Sequence, residues 1–275
     1  NTDGERLPVT SIDTFPEVPE RYRGVWRRTL LETPDIRDTT TWVHWLQTPR
    51  WHADLRVPAA AEVDRAAIAL DAMSGEQHLA LAHQQGFFGR TEVVQHLHGD
   101  VCTWHRRLDM QPPGLTPDAG WMEFGSDDRV IETGVHGAYR EVWERLPGSI
   151  GPALVLAETS SSPDDEAGVL STARAFLLLS GECLMRVRPR QIGWPAGTDP
   201  GNTLSTLLSR DPASAPALLD FEISYGLLRD GRWFIERSTL PELEGHTEPM
   251  HWQPAGATRF EVTCAAGTSV WCRLD

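Results

Sequence analysis

Residues 96–107 read HLHGDVCTWHRR and residues 226–237 read GLLRDGRWFIER. Each is an alternating run interrupted by a Gly/Asp pair, and such a pair between β-prone stretches marks a hairpin. The two hairpins sit inside a longer correspondence. Residues 45–58 (WLQTPRWHADLRVP) have the shape of 176–189 (FLLLSGECLMRVRP), and Leu31-Glu32-Thr33 recurs as Ala157-Glu158-Thr159. Residues 121–146 run beside 251–274, which sets Trp143 against Trp271 and Arg145 against Arg273. Matches in one order along both halves imply an internal duplication.

Period-two, aromatic-rich patterning predicts strands near 24–33, 40–48, 51–57, 87–98, 101–110, 119–125, 129–134 and 138–146. In the second half it predicts strands near 153–160, 168–180, 182–188, 219–229, 232–238, 258–263 and 268–274. The stretch 60–85 differs, with Val63, Ala67, Leu70 and Met73 at helical spacing and Ser74 as the N-cap of a second short helix. A matching short helix is expected near 202–210. The fold class is therefore all-β: two similar antiparallel up-and-down barrels with short helices, one of which closes a mouth. The expected divisions are a lead-in over 1–20, a first barrel over 21–148 and a second over 149–275. A barrel of about eight strands has room for its own side chains or one small ligand.

Composition removes several classes of function. The 275 residues carry 25 basic against 39 acidic side chains, a net charge of −14, which argues against nucleic acid or an anionic membrane as partner. No lysine occurs, so Schiff-base chemistry on a lysine is excluded. GxxxxGK, GxGxxG, HExxH and GxSxG are all missing, which sets aside nucleotide hydrolysis, dehydrogenase chemistry, zincin proteolysis and α/β-hydrolase esterolysis. Cys102, Cys183, Cys264 and Cys272 form no CxxC pair and read as buried thiols, although Cys264 and Cys272 flank a hairpin and could meet. No apolar run is long enough to span a membrane, so a cytoplasmic protein is expected. The 11 tryptophans are spread along the chain and suggest bulky positions on many separate strands.

The opening Tyr22-Arg23-Gly24-Val25-Trp26 resembles the Gly-x-Trp of the first lipocalin strand. The resemblance to lipocalin-like (calycin) proteins implies that the indole plugs the barrel floor. It also implies that an arginine of the last strand, here Arg145, packs across that indole. The layout is similar to the yeast Hri-type duplicated-barrel family, whose function is obscure.

With Gly99-Asp100 as the turn, one face of the first hairpin carries Glu92, His96, His98, Thr103, His105 and Arg107. There His96 and His105 would be diagonal neighbours, able to share a metal with Glu92 or to act as acid and base, although a solvated outer face is the simpler reading. Arg106 and Arg237 take the same place in the two repeats, on the inward face. A guanidinium there needs a partner, and Glu141, on one face with Tyr139 and Trp143, is the carboxylate expected for Arg106. His52, Asp54 and Arg56 share a strand face and read as an exposed ladder. His136 reads as an exposed turn histidine, and 160–166 as a solvated loop. No histidine is placed clearly inward, which speaks against haem.

The resulting expectation is a protein binding a small apolar or aromatic ligand, neutral or anionic, in the first barrel through Trp26, Trp104, Arg106, Tyr139 and Trp143. The alternative is a cofactor-free isomerase, dehydratase or cyclase using Glu141 or His96. Neither reading requires a cofactor or metal, and a homodimer is compatible with both.

Overall fold

In the computed structural model, which describes residues 15–62 and 68–275, the alternating stretches of the first half close into one ring. Its strands are β1 (Gly24–Glu32), the short arm β2 (Arg37–Asp38), β3 (Trp42–Gln47), β4 (Trp51–Val57), β5 (Gln85–His96), β6 (Gly99–Asp109), β7 (Asp118–Ser126), β8 (Arg129–Gly134) and β9 (Arg140–Arg145). The longer strands pair antiparallel in sequence order, and β9 returns to β1 from Trp26↔Arg145 to Glu32↔Arg140. Closure leaves no free edge.

The second half comprises β10 (Ala153–Ala157), β11 (Phe176–Ser180), β12 (Cys183–Arg188), β13 (Glu222–Arg229), β14 (Arg232–Ser238), β15 (Thr247–Pro249), β16 (His251–Pro254), β17 (Arg259–Cys264) and β18 (Gly267–Arg273). Its sheet ends at β15 and β16, yet those two strands are separated only by Met250. They are one chain segment bent at Met250, the first part on β14 and the second on β17. Unbroken β7 spans the same position in the first barrel, pairing with both β6 and β8. The second ring is therefore nearly closed. The sequence pattern did not mark residues 247–254 as strand, because Pro249 and Pro254 fall inside it.

The duplication extends to an irregularity. In each barrel the hairpin that leads out of the helical insert carries a bulge, between Phe88 and Gly89 in one case and between Tyr225 and Gly226 in the other. The bulge brings a main-chain oxygen onto the glycine: a Cβ on Gly89 would lie 1.9 Å from the His105 oxygen, and one on Gly226 1.8 Å from that of Phe234. Trp104 and Trp233 follow on the partner strands and both point inward.

One strand face fills each barrel and the other packs the barrels together. Trp26, Trp45, Trp104 and Trp143 meet inside the first with Val43, Cys102, Met122 and Val130. Leu156, Leu177, Leu184, Trp233, Ile235 and Trp271 fill the second. Between them Leu46, Ala53, Leu55 and Phe88 of the first barrel join Phe176, Met185, Val187 and Ile223 of the second in one continuous core. Phe88 and Phe176 lie 4.5 Å apart. The strands β3 and β4 and the first half of β5 are thus covered on both faces, which ordinary half-buried alternation does not anticipate.

The helices α1 (Ala59–Glu62) and α2 (Gly75–Leu81) follow β4, α3 (Glu166–Thr172) follows β10, and α4 (Leu204–Arg210) and α5 (Ala215–Leu219) follow β12. Ser74 and Gln77 form a reciprocal capping box at α2, as expected of Ser74. Val63 and Ala67 lie outside the described residues. Rather than closing a mouth, the first helical insert packs against that of the second half: Ala61, Leu81 and Ala82 join Leu204, Leu208, Leu218 and Leu219 in the shared core. Residues 168–172, expected to open a strand over 168–180, instead belong to α3, capped by Asp165, which accepts from the Gly168 N–H. Glu166 is no solvated loop residue; it binds Arg90 at 3.1 Å and Arg107 at 3.0 Å across the seam between barrels. Arg190 adds a second tie by donating to the carbonyls of Asp109, Met110 and Leu218.

The second hairpin turns at Asp230-Gly231, as its sequence indicates, both with positive φ. The first does not turn at Gly99-Asp100. Its turn is Leu97-His98, with His96 opposite Gly99. Asp100 is held in the ladder because its carboxylate accepts from the Tyr22 hydroxyl at 2.9 Å and pairs with Arg21. All four cysteines are free, and β17–β18 pairs Cys264 with Gly267 and Cys272 with Arg259. Cys102, Cys183 and Cys272 are buried and Cys264 is partly exposed. Among the described residues, no helix is long and apolar enough to cross a membrane.

Candidate functional site

The floor of the first barrel is aromatic. Trp45 meets Trp104 and Trp143 edge-to-face at 5.3 and 5.7 Å and stacks on Trp26 at 6.2 Å. Tyr22, in a short turn before β1, accepts the Trp26 indole N–H on its carbonyl at 2.8 Å. Arg145 lies 4.8 Å from the Trp26 ring centre and donates to the carbonyls of Arg21 and Arg23. The arginine-over-indole contact implied by the lipocalin resemblance is present. It seals this end.

Toward the other end the interior becomes charged. A cavity of about 410 Å³ opens there, walled by Arg28, Asp38, Arg56, Asp118, Glu132, Tyr139 and Glu141 among others. Inward positions of adjacent strands supply these groups, since Glu132 on β8 is directly opposite Glu141 on β9. Glu141 accepts from Arg28 at 2.6 Å, and Arg28 also reaches Asp38 at 3.2 Å. Arg56 makes a two-pronged pair with Asp54 at 2.7 and 3.1 Å and stands 3.9 Å from Glu141. Burial opposes ionisation of Asp38, but hydrogen bonds from Thr41 and Thr40 hold it at about 2.

Glu132 differs from its neighbours. Its side chain accepts from the Tyr139 hydroxyl at 2.7 Å and from the Trp143 indole at 3.0 Å, with no guanidinium against it among the described residues. Burial, then the nearby charges of Glu141 and Asp118, push its carboxyl well above the usual range. Burial and then Glu132 likewise raise the Tyr139 hydroxyl. Gly120 makes room for Glu132, because a Cβ there would fall 2.4 Å from the Glu132 Cγ.

Of the expected site residues, Glu141, Tyr139, Trp143 and Trp26 are gathered along this axis. Trp104 belongs to the floor and also walls a neighbouring groove of about 620 Å³. Arg106 does not pair with Glu141. It lies 3.6 Å above the Phe87 ring and binds Asp118 at 2.7 Å and Asp109 at 3.0 Å, facing that groove. Arg237 is not its counterpart either: Ile235 takes the inward place, and Arg237 turns outward to Glu62 and over Trp42. His96 is exposed at the hairpin tip beside Trp121, away from the cavity. The observed register separates His96 from His105, whose ring stacks on Phe15 and bonds to Glu92 at 3.0 Å. Among the described residues no group of three or more metal-ligating side chains comes together.

His52 and Asp54 are buried and Arg56 is half-buried inside the barrel, so they are not an exposed ladder. His52 is thus an inward histidine. Its Nδ1 meets the Thr91 hydroxyl at 3.0 Å, and burial followed by the charge of Arg106 drives its pKa well down. Sequence reading missed Glu132 and Arg28. The available signal was strand parity, since Glu132 shares a face with Val130 of the aromatic core.

The second barrel also has a cavity, of about 1000 Å³. Its walls include Arg186, Arg188, Glu222, Glu248, Ile235 and Trp271. Arg186 binds Glu222 at 2.7 Å and lies 4.8 Å from the Trp233 ring centre.

No protein-family model matches this chain and none of the curated proteins matches its sequence. Among solved structures, its fold is similar to that of the uncharacterized protein YLR301w of Saccharomyces cerevisiae. The match has a TM-score of 0.54 at 12% identity, covering 92% of this chain and 98% of that one. The likeness supports the barrel fold.

Proposed function

We propose that this is a lipocalin-like binding protein that takes a small, uncharged, hydrogen-bonding ring compound into the mouth of its first barrel. The observation that carries the reading is the cavity of about 410 Å³, where Arg28, Arg56, Glu132, Tyr139 and Glu141 converge. A concave site with a few convergent polar groups and a perturbed carboxyl is the usual form of a small-molecule site. The lipocalin assignment is supported by the Arg145–Trp26 contact. The polar wall narrows the ligand class: Arg28 and Arg56 already face carboxylates, so an anion would have to displace an existing partner. A neutral ligand avoids that cost.

The test is a titration of tryptophan emission with 2-naphthol, an aromatic ring bearing one hydroxyl. Saturable one-to-one quenching is expected from the unaltered chain. Tyr139→Trp, which fills the lip, should weaken binding about tenfold, a loss of about 1.4 kcal/mol. No saturable binding, or equal affinity in Tyr139→Trp, would contradict the reading.

A further inference from the structure

We propose that Glu132 and Glu141 form an acid–base pair that isomerises a small enolisable ketone by moving a proton between carbon atoms. The inference rests on the cavity being a ligand site. Three features of geometry support it. The carboxyls occupy directly opposed inward positions on β8 and β9, and both wall the same cavity. Their partners differ, a guanidinium at 2.6 Å for Glu141 against a hydroxyl and an indole N–H for Glu132. Tyr139 lines the cavity and donates its hydroxyl proton to Glu132 Oε1 at 2.7 Å, so when it gives that proton to a ligand oxygen the Glu132 proton can replace it.

Two carboxyls whose surroundings favour opposite protonation states divide the acid and base roles. Burial keeps the proton on Glu132. Glu141 sits against the Arg28 guanidinium at 2.6 Å.

The step is balanced without a cofactor. The Glu141 carboxylate takes a proton from the carbon between the carbonyl and a β,γ double bond. The C–H electron pair becomes the new carbon–carbon π bond, and the carbonyl π pair moves to oxygen. That oxygen receives the Glu132 proton, directly or through Tyr139, giving a neutral dienol. Glu141 then returns its proton to the γ-carbon while the dienol O–H proton goes back to the Glu132 carboxylate. The product is the conjugated α,β-unsaturated ketone, with both carboxyls restored. Asp118 and Arg56 face the pair and set the field in which the charge moves.

The experiment follows cyclohex-3-en-1-one going to cyclohex-2-en-1-one by absorbance, alongside 2-naphthol binding as a mimic of the dienol. Isomerisation above the buffer rate is expected, with a loss of about 100-fold in Glu141→Gln, whose fold is checked by circular dichroism. Glu132→Gln should lower both the rate and 2-naphthol affinity about tenfold, in keeping with loss of one hydrogen bond at the developing oxyanion. Tyr139→Phe, which keeps the ring, should lower the rate with little change in fold as seen by circular dichroism. If 2-naphthol does not bind the unaltered chain, the cavity reading fails and takes this one with it. If it binds but isomerisation stays at the buffer rate, or Glu132→Gln changes neither rate nor affinity, the acid–base pair alone is overturned.

Discussion

Gly89→Ala is expected to destabilise the protein by at least about 3 kcal/mol, the upper end of what overpacking costs. The added Cβ would lie 1.9 Å from a main-chain oxygen and 2.9 Å from a main-chain nitrogen, and neither can rotate away. Only undoing the bulge would relieve the clash, and the bulge sets the register that turns Phe87 and Trp104 to the inside. Gly226→Ala should behave alike, with its Cβ 1.8 Å from the Phe234 oxygen. Gly75→Ala is the control, because nothing lies within 4 Å and the residue opens α2; it should change stability by no more than about 1 kcal/mol. Thermal unfolding followed by circular dichroism compares the three. A midpoint for Gly89→Ala equal to that of Gly75→Ala would show that the bulge is dispensable.

Arg28→Met should cost about 3–5 kcal/mol, because it strands buried carboxylates. Arg28 and Glu141 are 6% and 5% exposed and lie 2.6 Å apart, with Asp38 the second partner. Arg56, 3.9 Å from Glu141, is already committed to Asp54 and cannot replace the lost guanidinium. Most of the loss should return in Arg28→Met combined with Glu141→Gln, which leaves no stranded charge opposite Glu132. Denaturant unfolding of the two single variants and the double variant gives the coupling energy. Additive losses would mean that the two side chains do not act as a pair.

The sequence announced the architecture where local chemistry and tertiary need agreed. Asp230-Gly231 turns where an Asp-Gly pair should, and Ser74 caps α2. The first hairpin misleads because Asp100 is claimed by Tyr22 and Arg21, a partnership formed only when the barrel closes. Four tryptophans scattered from 26 to 143 form one cluster for the same reason. Arg106 corresponds to Ile235, two residues before Arg237, and the bulge between Tyr225 and Gly226 turns Arg237 to the outer face, which no local pattern announces.

The site was legible in part. Strand parity of β9 puts Glu141, Tyr139 and Trp143 on one face and the Gly-x-Trp motif singles out Trp26, and the structure brings these side chains to one barrel interior. His52, Asp54 and Arg56 were lost because charged residues alternating with apolar ones normally face water. Here the apolar face of β4 is buried by the second barrel, which leaves the polar face for the interior. Glu132 does not announce itself because residues from other strands bury it and raise its carboxyl, and no local pattern encodes that.

The most direct measurement is a pH titration of glutamate side-chain carboxyls by NMR, with ¹³C at the carboxyl carbon and Glu132→Gln used to assign the Glu132 signal. A group whose folded pKa lies above its unfolded value favours folding at low pH, and that contribution is lost as pH rises through the folded pKa. The Glu132 signal is therefore expected to hold its protonated position at pH 7, and Glu132→Gln should be more stable than the unaltered protein there but not at pH 4. A Glu132 signal that titrates with the exposed glutamates, near about 4.3, would contradict a proton-holding carboxyl at the heart of this cavity.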